Sequence, residues 1–371
     1  MTNPIYAHIG LIILAGGRSS RMGCDKASLP WHNGTLLSEL LRRSLCLPFR
    51  EIIISINAPL PDQSLPSAAC PLQIVADTYK DCGPLGGLEA ALRTGTCDYY
   101  AVLSADLPFY DFSPLQDWLA HPQWLTPDTT GLIPILLPVV KGRDQPLAAL
   151  YPANIYPAVI AALRRHDYRV RSLYDTLPVC RINETKHAFL YTNTNTPSAY
   201  KDARACEVSR HRTVPVISIT GDHSGVGKTT AATAIIRALH DRGYCIGYIK
   251  STHHPVRAEK KGSDTDRALQ SGAAFALTCT PADVPAHKDK EAVLLALSQQ
   301  HPADLVIIES RCHGPFPRME TNLTAKIALN TTDDVIATLH DYDCSDDDVC
   351  HHFSLSHTDR LIPYILTIMG I

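Results

Sequence analysis

Two α/β domains in series, each a parallel sheet held between two helical layers, are what this sequence predicts. Three observations lead there. Glycine-rich loops at 14–26 and 221–230 each follow an apolar run and precede a helical one. Apolar runs of strand length alternate with segments of helical period along both halves, the pattern of strands joined by crossover helices. The chain has 371 residues, 45% of them hydrophobic, enough for two cores of roughly 150–200 residues each and unusually long for one.

In the first half, strands are expected near 8–15, 51–56, 72–76, 99–104, 131–137, 146–151 and 188–193, all short apolar runs bounded by turn residues. Helices fall between them: 35–47 shows apolar residues at helical spacing, 85–93 opens behind Pro84, and 155–165 follows a proline-rich turn. A strand at 214–220 then restarts the alternation, followed by a helix at 228–240, a strand at 245–250, a helix at 264–271 and a strand at 305–309. The restart puts the boundary within 201–213, read as the end of one helix plus a short linker through Arg210-His211-Arg212, which gives domains 1–208 and 213–371. There is no internal repeat or low-complexity tract.

Bulk properties exclude several classes. A net charge of -3 argues against nucleic acid or a membrane surface as partner, since both demand a basic excess. The twelve cysteines are scattered singly, without a CxxC pair or a secretion signal, so reduced thiols and a cytoplasmic location are expected. No apolar run approaches the roughly 18 residues needed to cross a bilayer.

The loops carry the chemistry. A backbone stripped of Cβ atoms can wrap phosphate oxygens with N–H donors, and a helix beginning there adds the positive end of its dipole. In the first loop, Leu14-Ala15-Gly16-Gly17 is followed by Arg18, Arg21 and Lys26, charges suited to a triphosphate and its pyrophosphate leaving group. The second, Gly225-Val226-Gly227-Lys228-Thr229-Thr230, fits a P-loop, with Lys228 between the terminal phosphates and Thr229 on Mg²⁺. The strict P-loop pattern calls for glycine where Asp222 stands, and Gly221 comes one residue early. Asp106 ends an apolar strand, where a carboxylate suits a Mg²⁺ held mainly through water and phosphate oxygens; a lone strand-end Asp is otherwise a turn or cap residue. Two such loops imply two triphosphates, or one triphosphate and one regulator.

The first loop and the segments after it resemble the molybdenum cofactor guanylyltransferases (MobA-like), whose signature reads LAGGxSxRMGxDK. The resemblance continues through Asn57, through Asp77 leading into Gly83-Pro84-Leu85-Gly86-Gly87, and through Ser104-Ala105-Asp106-Leu107-Pro108. It implies a Rossmann-like nucleotidyltransferase fold that passes GMP from GTP to Mo-molybdopterin with Mg²⁺ as cofactor. Leu14, Ala15, Gly16, Gly17, Lys26, Asn57, Asp77, Gly83, Pro84 and Leu85 would surround the nucleotide, with Lys26, Arg21 and Asp106 catalytic. Gly142-Arg143-Asp144-Gln145-Pro146 resembles the family's pterin-facing segment, so Arg143, Gln145 and Pro146, with Arg169 and Arg171, would line the substrate side; singly, each arginine reads equally as a surface residue. Thr192-Asn193-Thr194-Asn195-Thr196-Pro197 resembles the NxNTP motif, which implies that Asn193 joins Asp106 at the metal. Related cytidylyltransferases open with LAAG, whereas Ala15-Gly16-Gly17 has the guanylyl form.

From residue 216 onward the chain resembles the molybdopterin guanine dinucleotide adapter proteins (MobB-like), which are P-loop GTP-binding proteins. The resemblance rests on Ile249-Lys250-Ser251-Thr252-His253-His254, on Gly262-Ser263-Asp264, on the strand ending at Glu309, and on Pro317-Arg318-Met319-Glu320. Ser251 replaces a histidine of the family's KHTHH run, and Ser310 stands where glycine is usual. It implies a P-loop NTPase fold with GTP at Gly225, Gly227, Lys228, Thr229, Thr230, Lys250 and Asp264, and Mg²⁺ at Thr229 and Glu309, with weak GTPase activity. The resemblance also implies molybdopterin-inserting proteins and molybdoenzyme chaperones as partners. His253-His254 has no third ligand at helical or hairpin spacing, so a polar loop is read there and not zinc. Cys312, His313 and His351-His352 are likewise not assembled into a metal site, and Asp346-Asp347-Asp348 reads as a solvated loop. Two rivals stay open: a cytidylyl or sugar-phosphate nucleotidyltransferase joined to a ligase like dethiobiotin synthetase, whose P-loop is similar, and a nucleotide-gated binding protein for the cofactor.

Overall fold

The structure is a computed structural model that describes residues 8–16, 26–57, 65, 70–127, 131–253, 261–285, 289–310, 316–321, 323, 335–341 and 350–371. It divides into two compact units, Met1–Asn195 and Thr196–Ile371. Both are three-layer α/β units.

The first unit runs β1 (Ile9–Leu14), β2 (Pro30–Trp31), β3 (Gly34–Thr35), α1 (Leu36–Ser44), β4 (Ile52–Ser55), β5 (Leu72–Val75), α2 (Pro84–Thr94), β6 (Tyr99–Ser104), α3 (Ser113–Leu119), β7 (Ile135–Val140), β8 (Arg143–Asp144), β9 (Ala148–Pro152), α4 (Tyr156–Arg164) and β10 (Val179–Asn183). Its main sheet has the order β10-β7-β9-β6-β1-β4-β5, with β8 beside β7. Every residue of β1 is buried. That is why its sequence is an unbroken apolar run, for a central strand with both faces covered cannot alternate. Ile9, Leu11 and Ile13 pack on the face that meets Leu37 and Leu40 of α1 and Trp118 of α3. Ile12 and Leu14 pack on the other, against Leu85 and Leu88 of α2 and Val159 of α4. A capping box starts α1, in which the Thr35 side chain accepts from the Ser38 N–H and the Ser38 hydroxyl from the Thr35 N–H.

Two expectations need correction here. The sheet is mixed, since β9 runs antiparallel to both β6 and β7. The strand expected at 188–193 is instead a 3₁₀ turn, Ala188–Tyr191, closed by the bonds Leu190 N–H to His187 O and Thr192 N–H to Phe189 O. The final strand of the sheet lies earlier, as β10, parallel to β7. Tyr191 is buried in the core, so the apolar content of 188–193 serves packing of a turn.

The second unit runs α5 (Pro197–Arg210), β11 (Val216–Thr220), α6 (Lys228–His240), β12 (Ile246–Ser251), α7 (Asp264–Gln270), β13 (Phe275–Cys279), α8 (Lys290–Ser298), β14 (Leu305–Glu309), β15 (Arg318–Thr321), β16 (Val335–His340), β17 (His351–Ser354) and α9 (Thr358–Met369). Among the described residues its seven strands pair in the order β13-β12-β14-β11-β15-β16-β17, and each of these pairings is parallel. Ile217 and Ile219 of β11 face α6 and α9, while Val216 joins the opposite cluster with Leu294 of α8.

Where the sequence put the boundary at 208–213, the compact units part between Asn195 and Thr196. The reason is α5. Ala205 belongs to the second unit's core, Asp202 accepts from the Tyr364 hydroxyl at 2.6 Å and lies 2.9 Å from His351 Nε2, and the Ser209 hydroxyl reaches Met369 Sδ at 3.6 Å. Among the described residues no helix is long and apolar enough to cross a membrane.

Candidate nucleotide sites

In open α/β sheets, ligands collect at the carboxyl ends of the strands. In the first unit that edge gathers most of the residues expected around the nucleotide. Leu14 closes β1, and the Ala15 N–H donates to Ser55 O, at the end of β4, at 2.8 Å. Two residues beyond β5, Asp77 is held on all sides: its carboxylate accepts from the Ser55 hydroxyl at 2.9 Å and from Asn57 Nδ2 at 2.8 Å, and its N–H donates to Asn57 Oδ1 at 2.9 Å. Asn57 and Asp77 are therefore tied to each other as a floor beside Gly16, where a Cβ would lie 3.0 Å from Asn57 Nδ2. The amino end of α2 presses onto this floor. A Cβ on Gly87 would lie 2.7 Å from Ser55 Oγ and 3.1 Å from Leu14 Cδ2, so glycine lets the first turn of the helix pack close against β1 and β4. Gly83 caps that helix and Pro84 is its first residue, a fitting arrangement for an anion at a helix amino terminus.

Asp106 lies two residues beyond β6 and is 8% exposed. Its carbonyl accepts from both the Thr194 N–H, at 3.0 Å, and the Thr194 hydroxyl, at 3.3 Å. The clamp brings Asn193, far away in sequence, beside Asp106. Leu14, Ala15 and Leu85 point their side chains into the core, leaving only backbone to meet a ligand. Gly17 and Arg21 lie outside the described residues, and of Lys26 only the backbone, opening the 3₁₀ turn Lys26–Ser28, is described.

The pterin-side residues fall on two segments. Arg143, Gln145 and Pro146 span β8 and the turn into β9, while Arg169 and Arg171 flank the start of a 3₁₀ helix, Val170–Asp175. Arg181 connects the two: it pairs with Asp144 at 3.3 Å and lies over the Tyr174 ring at 5.9 Å. Within the first segment, the Tyr151 hydroxyl of β9 donates to Pro146 O at 2.9 Å. Arg169 pairs with Asp167 at 2.9 Å, and Arg143 and Arg171 are exposed.

The second unit's site is a cleft of ≈ 410 Å³ lined by the P-loop on one side and the ends of β12 and β14 on the other. Gly225, Gly227, Lys228, Thr229, Thr230, Lys250, Asp264 and Glu309 all line it. The sheet order changes direction at β11, with β14 on one flank and β15 on the other, the switch point where such crevices open. Lys228 Nζ donates to His223 O at 2.6 Å. The Thr229 hydroxyl donates to Asp264 Oδ1 at 3.0 Å, and Lys250 Nζ lies 3.0 Å from Asp264 Oδ2. Lys250 also contacts Glu309 Oε1, whose other oxygen accepts from the Tyr248 hydroxyl at 2.6 Å.

Burial pulls the Lys250 ammonium down, but the charges and hydrogen bonds of Glu309 and Asp264 outweigh it and hold lysine above its ordinary pKa. Burial likewise pushes the Asp264 carboxyl up, yet Lys250, Thr229 and Arg267 keep it below the usual aspartate value. Burial and the Glu309 carboxylate push the Tyr248 phenol well upward, so it remains a proton donor.

Residues 11–181 match the family model of the MobA-like NTP transferase domain, and residues 216–341 match that of molybdopterin guanine dinucleotide synthesis protein B (MobB). The chain joins a MobA-like NTP transferase domain to a MobB domain. A "Probable molybdenum cofactor guanylyltransferase" of Bacillus thuringiensis (strain Al Hakam) is 26% identical over 199 residues, covering 52% of this chain and 94% of that protein. One of the same name from Bacillus cereus (strain G9842) is 25% identical over 184 residues, covering 50% and 86%. Among solved structures, molybdopterin-guanine dinucleotide biosynthesis protein A from Archaeoglobus fulgidus is similar with a TM-score of 0.42 at 20% identity, covering 52% of this chain and 96% of that one. The chain is a nucleotidyltransferase by its first domain, and both domains are of molybdenum cofactor biosynthesis.

Several residues of these domains escape sequence reasoning. In the MobA-like domain Ser55 and Thr194 position the expected residues; Thr194 lies inside the NxNTP string, and Ser55 is the last residue of β4. In the MobB domain Tyr248 and Arg267 do the same, and periodicity could have found both. Tyr248 is two residues before Lys250 on one strand, and Arg267 is one helical turn past Asp264, 3.9 Å away.

The P-loop's irregular start also has a physical account. A Cβ on Gly221 would lie 2.5 Å from Val226 Cγ2 and 2.6 Å from Thr321 O, whereas Asp222 is exposed. The position that cannot bear a side chain is 221. Gly221→Ala is expected to destabilise the MobB domain by about 1–3 kcal/mol, read from urea unfolding, while Asp222→Gly shifts it by no more than about 0.5 kcal/mol.

Proposed function

We propose that the MobA-like domain transfers GMP from GTP to Mo-molybdopterin, giving Mo-molybdopterin guanine dinucleotide and pyrophosphate, and that the MobB domain is a GTP-binding adapter with slow hydrolysis. An oxygen of the pterin's phosphate attacks the α-phosphorus of GTP, and the bond from that phosphorus to the pyrophosphate oxygen breaks. No covalent enzyme intermediate is needed, so the protein supplies alignment and charge neutralisation.

The observation that supports this reading is the Thr194 clamp on Asp106, which holds the residue after Asn193 against the Asp106 carbonyl, next to the Ala105 N–H that bonds Leu14 O. Oxygen donors of this kind fit Mg²⁺. Asp106 and Asn193 would hold the ion, which when bound neutralises charge on the triphosphate and the departing pyrophosphate. Lys26 and Arg21 would add positive charge to the same phosphates. Gly16, Gly17, Asn57, Asp77 and Gly83 would shape the nucleotide pocket, and Arg143, Gln145, Pro146, Arg169 and Arg171 would receive the pterin and its phosphate.

In the MobB domain, the shared cleft of Lys228, Thr229, Lys250 and Asp264 supports GTP binding, with Thr229 as the hydroxyl ligand for Mg²⁺. Glu309 suits that metal less directly, because Tyr248 and Lys250 already engage both of its oxygens. Molybdopterin-inserting proteins and molybdoenzyme chaperones are the recipients this reading implies, and the cytoplasm is its compartment.

The test is direct. Purified chain, Mg²⁺, molybdenum-loaded pterin and each of the labelled triphosphates GTP, ATP, CTP and UTP are mixed, and dinucleotide and pyrophosphate are measured. GTP alone should give product. Turnover of CTP in its place would transfer the chain to the cytidylyl reading.

A further inference from the structure

Across the floor of the MobB cleft, Tyr248, Glu309, Lys250, Asp264 and Thr229 form an unbroken line of contacts. Each carboxylate offers one oxygen to Lys250, and the other is taken by a hydroxyl: that of Tyr248 at 2.6 Å for Glu309, and that of Thr229 at 3.0 Å for Asp264. One ammonium therefore serves two acids, with Arg267 3.9 Å from Asp264 as a second, more distant cation. Glu309 is 2% exposed, so water cannot screen it if the ammonium leaves.

This arrangement bears on what Lys250 does. The sequence places it among the residues that touch nucleotide. Two of its three N–H donors are committed to these carboxylates, and turning the ammonium fully toward a phosphate would take it from the buried Glu309. Removing one partner of a buried ion pair is strongly unfavourable.

We propose that Lys250 is a charge bridge and not a phosphate ligand: it ties Glu309 to Asp264, orients the Thr229 hydroxyl through Asp264, and offsets one of the negative charges that a nucleoside triphosphate meets on entering the cleft. The proposal rests on the reading of this cleft as a nucleotide site. Lys228 is then the cation that meets the phosphates, and Lys250 a positioning residue behind it. The two lysines line one cleft but answer differently to loss of a neighbouring acid. A phosphate ligand is needed whatever the charge of Glu309, whereas a bridge becomes dispensable once one of its acids is neutral.

The experiment is a charge-compensation series in the full chain. Mg²⁺·GTP binding is measured by calorimetry for the parent chain, Lys250→Met and the double variant Lys250→Met/Glu309→Gln, with the Lys228→Ala chain as the blank that removes the contribution of this cleft. Lys250→Met is expected to weaken binding at this site by at least about tenfold, since the wall then carries one more negative charge toward the phosphates. The double variant restores the parent's net charge and is expected to return to within about threefold of the parent. A double variant no tighter than Lys250→Met overturns the bridge and makes Lys250 a direct ligand. Failure of the nucleotide reading looks different: the parent chain and Lys228→Ala would titrate identically with GTP. In that event the midpoint of thermal unfolding decides, because a bridge requires Lys250→Met to lower it and Glu309→Gln to restore it in the same chain. Absence of that restoration likewise overturns the proposal.

Discussion

Asp106→Ala is expected to lower GMP transfer on the order of a thousandfold, the loss that follows when a charge-stabilising group is removed from a transferring phosphate. The protein should stay folded. Asp106 sits two residues beyond β6, and its backbone is fixed from outside the side chain: the Thr194 N–H and hydroxyl both bond its carbonyl. The Ala105 N–H donates to Leu14 O at 3.1 Å, which secures the strand end independently. Truncating the carboxylate therefore removes charge from the sheet edge while the edge keeps its shape. Asp106→Asn, with nearly the same volume, separates charge from packing and should be almost as inactive. The measurement is product formation against Mg²⁺ concentration, with circular dichroism as the check on folding. Near-normal Mg²⁺-dependent turnover by either variant would show that the metal, and the reaction built on it, belongs elsewhere.

Lys228→Ala is expected to abolish GTP binding in the MobB domain, by roughly a hundredfold in affinity or more, and to leave GMP transfer by the MobA-like domain in place. Lys228 begins α6 and is 8% exposed, and its ammonium reaches back to His223 O across the P-loop. It is thereby presented at the loop's mouth, where phosphates would replace the carbonyl as its partner. The clean readout is stoichiometry: GTP titration of the full chain should fall from two sites to one while dinucleotide synthesis continues. Loss of both in a folded variant would mean that the two domains do not divide the work as proposed.

What could be read from the residues follows the physics of each motif. Phosphate loops are legible because a single contiguous stretch must supply glycine, cation and hydroxyl in fixed order, and Gly225, Gly227, Lys228 and Thr229 line one cleft together. Central strands are legible for a similar reason. Residues of β1 and β14 are buried throughout, and double-sided burial forces an apolar run.

Edges and turns are less so. In β10 the sequence Val-Cys-Arg-Ile-Asn places an exposed arginine at its centre, which weakens the strand signal. Ala-Phe-Leu-Tyr at 188–191 has the composition of a strand but forms a turn packed by Tyr191. In α9, Pro363 lies inside the helix, where proline ordinarily signals a break. Partnerships between distant residues were the least accessible of all. Nothing in local pattern links Thr194 to Asp106, Arg181 to Asp144, or Lys250 to Glu309, because the topology alone makes them neighbours.

The allegiance of α5 has a practical side. Whoever wishes to express the halves apart should sever the chain after Asn195, so that the downstream fragment carries off its own first helix. A cut at the seam suggested by the restart of alternation would leave the carboxyl-terminal fragment without Ala205 against its core and without Asp202 to receive His351 and Tyr364.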